Sequence, residues 1–195
     1  MPRPIWSGSI NFGLVNIPVE MNTVVHEKSV HFHMLSKDGT CRLRRKLVCP
    51  QTGKEYDFGD TARGIEISPE DYVLIDQSEI DRLKPEKGHA LEILQFLKVS
   101  DIDPIYFDNV YYLHPGKDAQ RPYKLLHEAM KSAGKCAIGR FVLRERQYLA
   151  IIRAINGGLA LHTLHYADEV DPINVEKMSG VKVTAAELNM AGELI

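Results

Sequence analysis

The sequence predicts a mainly β protein with a few helices, and three observations carry that prediction. Apolar and polar residues alternate with period two in the opening tract, where Trp6, Ile10, Phe12 and Leu14 share one face and Ser7, Ser9 and Asn11 the other. Residues 137–143, 148–155 and 159–166 read as a meander of three strands, the last two joined by Asn156-Gly157-Gly158. Helical signals are confined to short stretches, of which residues 122–133 are the clearest.

The elements follow in order. After Leu14 the apolar parity passes to Val15, Ile17 and Val19, which a bulge or bend near Gly13 explains. Gly8 and Gly13 permit close approach of another backbone. Residues 29–35 alternate again, with Val30, Phe32 and Met34 opposite His31 and His33. Residues 37–64 are rich in turn formers and charge and read as an excursion from the core, with a short cationic strand over 41–48. Residues 65–75 end in the apolar run Tyr72-Val73-Leu74-Ile75, and Ser78-x-x-Asp81 resembles a capping box for a short helix ending before Pro85. Residues 90–99 form a core strand, and 105–113, broken at Asp108-Asn109, a tight hairpin. In the helix over 122–133, Pro122 suits the first position and Gly134 the C-terminal cap. Cys136 reads as packed in the core. Thr184-x-x-Glu187 opens a last helix with Leu188, Ala191 and Leu194 along one edge.

Length, an apolar fraction of 44% and a charged fraction of 26% fit one soluble globular domain. No apolar run approaches the roughly 18 residues of a membrane span, and no leader opens the chain. Three cysteines suit a reducing cytoplasm better than a disulfide framework.

Net charge is −2, so composition alone points to no polyanion, but the distribution is uneven. Residues 1–59 hold 8 basic and 5 acidic side chains, residues 60–116 hold 5 and 12, residues 117–165 hold 9 and 3, and residues 166–195 hold 2 and 6. Two basic blocks folded onto one surface would make a footprint for phosphate; the bland alternative is solvated faces. In the first block, Arg42, Arg44 and Lys46 fall on one face of an extended strand, with Arg45 opposite and Lys54 and Arg63 further on. Same-face residues of a strand are about 6.6 Å apart, close to the spacing of successive phosphates. The second block offers Lys117, Arg121, Lys124, Arg140, Arg144 and Arg146.

Signatures of catalysis are missing. Gly-Lys occurs at Gly53, Gly116 and Gly134 without the Ser or Thr of a P-loop, and no Gly-x-Ser-x-Gly elbow exists. Asp101 and Asp103 read as turn or strand-edge groups. His31, His33, Cys41 and Cys49 share one stretch, and imidazole with thiolate can bind zinc, but the histidines also read as the solvent face of a strand. The expectation is a protein that is not an enzyme and holds no metal or cofactor.

Several tracts resemble, in order, the bacterial Ku proteins that bind broken DNA ends. They are Trp6-x-Gly8-x-Ile10-x-Phe12-Gly13-Leu14-Val15-x-Ile17-Pro18-Val19; Tyr72-Val73-Leu74-Ile75; Asp101-Ile102-Asp103-Pro104-Ile105-Tyr106-Phe107; Tyr111-Tyr112-Leu113-x-Pro115; Tyr123-x-Leu125-Leu126-x-Glu128-Ala129-Met130 with Gly134-Lys135; and Asp168-Glu169-Val170. The resemblance covers the chain from Trp6 onward. It implies an antiparallel β-barrel core over residues 1–175, with an excursion at about 36–66 that forms a DNA-encircling ring in a homodimer. Residues 176–195 would begin a C-terminal helical arm, cut short here.

Such a ring holds double-stranded DNA ends by their backbone, protects and bridges breaks, and recruits an ATP-dependent DNA ligase of the ligase D type for non-homologous end joining. The setting would be the cytoplasm, at the nucleoid. The candidate DNA-binding residues are Arg42, Arg44, Arg45, Lys46, Lys54, Arg63, Lys117, Arg121, Arg140, Arg144 and Arg146. Two departures stand out. Some relatives carry a Cys-x-x-Cys knuckle where this chain has Cys49-Pro50-Gln51-Thr52, and the usual Lys-Gly-Tyr-Glu is Arg63-Gly64-Ile65-Glu66. The rival readings are a β-barrel protein-interaction domain that never touches DNA and a small lyase with an amine nucleophile.

Overall fold

A computed structural model of the protein describes residues 3–26, 28–85, 88–173 and 180–194. Strands β1 (Trp6–Phe12) and β2 (Val15–Thr23) open the chain. It then carries four short strands, β3 (Leu47–Val48), β4 (Glu55–Tyr56), β5 (Arg63–Ser68) and β6 (Asp71–Ile75), and helix α1 (Gln77–Leu83). After these come β7 (Ala90–Leu97), β8 (Phe107–Pro115), α2 (Gln120–Ala133), β9 (Cys136–Leu143), β10 (Arg146–Ile155) and β11 (Gly158–Leu164), and finally α3 (Ala185–Leu194).

Seven of these strands close into a barrel in the order β1-β2-β8-β11-β10-β9-β7. An odd number of strands cannot close with every neighbour antiparallel, because directions must alternate around the circle. One seam has to be parallel, and it is β1 against β7, through Ser9–Ala90, Ile10–Leu91 and Asn11–Glu92. β3–β4 and β5–β6 are separate two-stranded hairpins. The fold is therefore mainly β with a closed barrel at its centre, as the sequence predicts, and the barrel is antiparallel at every seam but β1–β7.

Period-two alternation fills the barrel. Trp6 and Ile10 from β1, Ile17, Val19 and Met21 from β2, Leu113 from β8, Leu159 and Leu161 from β11, Ala150 and Ile152 from β10 and Phe141 from β9 are all buried in one cluster. Trp6 packs edge-on against Phe141 at 5.6 Å and donates its indole N–H to the Val142 carbonyl at 3.1 Å. Gly8 sits beneath that indole. A Cβ there would lie 2.2 Å from the His89 carbonyl and 2.4 Å from the Trp6 ring, so only glycine lets the tryptophan fold over the parallel seam.

Helix α2 packs on one end of the barrel. Tyr123, Leu126 and Met130 are its buried face, and Gly134 ends it with φ 63°. The Tyr123 hydroxyl donates to the Leu113 carbonyl at 2.6 Å and accepts the Leu159 N–H at 2.7 Å, satisfying two backbone groups where β8 and β11 part. Burial raises the pKa of that phenol. The β1–β2 turn and the β10–β11 turn share this end. The opposite end holds Trp6, the β9–β10 turn and the roots of residues 24–89, which leave after Thr23 and return at His89, whose carbonyl accepts the Ser9 N–H. That segment contains the excursion expected at 36–66.

The structure corrects several expectations. Of the bulge or bend expected near Gly13, the chain makes the bend, and as a full hairpin turn: Gly13 has φ 56°, Phe12 pairs with Val15, and Leu14 at the tip is fully exposed. Residues 29–35 form no strand beyond an isolated bridge between Leu35 and Arg42. Residues 107–115 are one strand rather than a hairpin. Its turn-like pair is held straight by Thr163, whose hydroxyl donates to Asp108 and accepts the Asn109 N–H, beside an irregularity in β11. Asp76, not Ser78, caps α1 by accepting the Ser78 N–H. α2 starts two residues before Pro122. Three further expectations hold: Asp103 caps a 3₁₀ turn, Cys136 is buried, and Thr184 and Glu187 exchange capping hydrogen bonds. The boundary drawn at 175–176 lies outside the described residues.

Candidate nucleic-acid interface

The first basic block stands on the excursion, just after a braced turn. The Asp38 carboxylate accepts from the Ser36 hydroxyl, the Thr40 hydroxyl and the Thr40 N–H, which together hold its pKa below the ordinary value. Ser36 N–H also reaches the Cys41 carbonyl and Leu43 N–H the Met34 carbonyl. Arg42, Arg44 and Arg45 emerge from this turn exposed, with no acidic partner among the described residues. Regular strand is reached only at Leu47–Val48, so Arg42, Arg44 and Lys46 are not locked along one ladder as expected. A ladder two residues long is too short to impose that register. Lys46 turns instead to Glu55 at 2.7 Å, and Lys54 lies over the Tyr56 ring at 5.0 Å. Arg63 opens β5, opposite Ile75.

At the Trp6 end the β9–β10 turn is made by Arg144 and Glu145, with φ of 50° and 66°. Both lie in the left-handed region that tight hairpins require and that Asn and Gly fill most easily. Glu145 pairs at 2.7 Å with Lys84, which also holds Asp81 at 2.8 Å, so the end of α1 is tied to the barrel's hairpin tip. Lys84 is pushed up and Asp81 down in pKa by this arrangement. Arg146 donates to Glu169 at 2.9 Å and lies over the Tyr148 ring at 5.4 Å. Beside these groups a cavity of about 520 Å³, lined by Thr23, Asp108, Asn109, Tyr111, Arg144 and Tyr148, opens at the foot of the excursion.

The second block is thus divided. Arg144 and Arg146 share the excursion's end of the barrel. Lys117 and Arg121 lie at the other end, where Gly116 N–H bonds the Pro18 carbonyl and α2 begins. Arg140, midway along β9, is bound to Glu92 at 3.0 Å. Eight strand residues separate the two ends, on the order of 25 Å. The Lys84–Glu145 tie was illegible in sequence: it joins residues 61 positions apart and depends on an atypical turn.

No group of three or more His, Cys, Asp or Glu side chains among the described residues is placed to hold a metal. Cys41 is exposed and Cys49 half-buried; hydrogen bonding from Thr52 lowers the Cys49 pKa. No helix among the described residues is long and apolar enough to cross a membrane.

The Ku70/Ku80 β-barrel domain matches residues 11–190. The chain is 41% identical over its full length to the non-homologous end joining protein Ku of Anaeromyxobacter sp. strain K, of which it covers 67%. It is 32% identical over its full length to that of Koribacter versatilis, again covering 67%. It is also 35% identical over 99% of its length to that of Archaeoglobus fulgidus, covering 77%. A closed seven-stranded barrel with a cation-bearing excursion at one end, matched over nearly its whole length, places this chain in the Ku family.

Proposed function

We propose that this chain binds the ends of double-stranded DNA without regard to sequence, as one half of a homodimeric ring. The observation that carries the reading is the run Arg42, Arg44 and Arg45, exposed and without an ion pair among the described residues, on an excursion rooted at one end of the barrel. Exposed cations outside an ion pair are free to contact phosphate, although Arg45 shares a cleft with Glu55, Asp57 and Asp60, and backbone contacts carry no base information. Arg144, Arg63 and Lys54 extend this surface; Lys46 and Arg146 can join it by exchanging Glu55 and Glu169 for phosphate. Lys117, Arg121 and Arg140 contribute less, being remote or paired.

Dimerisation follows from uncovered apolar surface. Phe32, Phe58 and Leu74 are 89%, 86% and 71% exposed, and both faces of the β5–β6 hairpin are uncovered. A second copy that covers them also supplies the other half of the ring. The relatives' names support a role in non-homologous end joining, where the ring protects and bridges breaks and brings an ATP-dependent ligase to them. Binding of this kind uses no cofactor and no catalytic group of its own.

Band shifts with linear and covalently closed duplex test the reading. Linear duplex should bind and closed circles compete poorly, and ligating a linear duplex closed after binding should trap the protein on it. Equal affinity for both forms would remove threading. Reversing Arg42, Arg44 and Arg45 to Glu should weaken all duplexes alike and flatten the salt dependence by roughly 0.9 log units for each phosphate no longer neutralised. A barrel that serves only protein partners would show no end-dependent shift at all.

A further inference from the structure

At the end of the barrel away from the excursion, an apolar groove of about 460 Å³ runs beside α2. Phe12, Val15 and Phe96 form one side, and Leu125, Ala129 and Ala133 the other. Phe12 and Phe96 meet edge-to-face at 5.9 Å, so that wall is set. Leu125 is 71% exposed in the middle of the helix. Ala129 and Ala133, one turn apart, leave a shallow furrow that would accept the side-chain ridge of another helix. The lining from Pro122 to Ala133 is about 17 Å long at helical rise, three turns.

Two features narrow the occupant. The barrel is closed, so the groove offers no free strand edge for a peptide to extend, and a helix is the element it fits. The groove and its surroundings are also cationic. Lys135 lines it, and residues 117–135 hold Lys117, Arg121, Lys124, Lys131 and Lys135 against Asp118 and Glu128. We infer that the groove docks an amphipathic helix of a partner protein, with an apolar stripe and acidic flanks. The chain's own α3 fits poorly, because Glu187 falls within the arc made by Leu188, Met190, Ala191 and Leu194 and is held there by Thr184. DNA on the excursion and a partner helix here would occupy opposite ends, so the two can be bound together.

The test uses the full chain and a labelled, roughly 18-residue designed helix with a leucine stripe and glutamate flanks, followed by fluorescence anisotropy. A matched peptide with lysine flanks is the control. The glutamate peptide should bind about tenfold or more tighter at low salt. Leu125→Asp should abolish binding while melting temperature and DNA-end binding stay unchanged, since this side chain is outside the buried core. Reversing Lys124, Lys131 and Lys135 to Glu should invert the preference between peptides. Equal binding of the two peptides, or undiminished binding by Leu125→Asp, would overturn the inference. So would a chain ending at residue 180 that binds about tenfold tighter, because α3 would then be the resident of the groove. Failure of DNA binding by the unmodified protein would sink the ring and leave the peptide result standing.

Discussion

The barrel and the excursion are built from the same kinds of residue but satisfy them differently. In the barrel, each strand has two partners, the interior is closed, and residues such as Ile10, Met21 and Leu161 are wholly buried. In the excursion, strands of two to six residues pair only with one neighbour, and Phe32, Phe58, Ile67 and Leu74 remain open to solvent. A two-stranded hairpin with no third layer is marginal in water. The barrel therefore closes over its own core, while the excursion leaves most of its apolar side chains uncovered.

Cutting into the barrel should have the largest effect. Trp6→Ala removes the plug of one end and its hydrogen bond to Val142, and should cost about 3–5 kcal/mol in denaturant unfolding. Phe58→Ala, equally aromatic but exposed, should leave unfolding of the isolated chain within about 0.5 kcal/mol. Equal costs at the two positions would mean that the excursion is as well packed as the barrel. Next in size is Tyr123→Phe, which strips one partner from the Leu113 carbonyl and one from the Leu159 N–H at the α2 end. It should cost about 1–3 kcal/mol. Limited proteolysis is the non-mutational check, with first cuts within residues 24–89 and a protected fragment containing β8 to β11.

A smaller effect is set by pH. His162, on the barrel's outer face, accepts from Arg153 Nε at 2.9 Å, and burial, then Arg153, lowers its pKa below 6.5. The unfolded chain therefore takes up a proton more readily than the folded one. Its contribution is present above about pH 6.5 and is lost as pH falls towards the folded value. His162→Gln, which retains an acceptor, should flatten stability against pH in that window. Smallest is Glu55→Gln: the exposed Lys46–Glu55 pair should add nothing measurable to unfolding, yet freeing Lys46 should strengthen DNA binding slightly.

What could be read from sequence divides along the same line. The meander, α2 with its Gly134 cap and the apolar face of β1 were legible because local periodicity and burial agree there. The β1–β2 hairpin was legible only as a bulge or bend, because a two-residue turn and a bulge shift parity alike and Gly13 permits both. The single strand over Asp108-Asn109 hid behind a pair of turn formers, since only the distant Thr163 holds them extended. In the excursion, period-two patterning at residues 29–35 and 41–48 promised strands that find little to pair with, one bridge between Leu35 and Arg42 and the two-residue β3 against β4. The candidate cations were legible as residue types. Their partition between the two ends of the barrel was not, because it depends on closure of the sheet.

The insertion point of the excursion, between β2 and β7 and with both feet at one end of the barrel, has a consequence for how such a protein can change over time. Closing a long flexible loop costs only about 0.6 kcal/mol more for each doubling of its length. Residues can therefore be added to or removed from the segment after Thr23 while the seam of Ser9, Ile10 and Asn11 against β7 is left alone. The length and chemistry of the excursion are free to drift under selection, and the barrel need not be redesigned to follow.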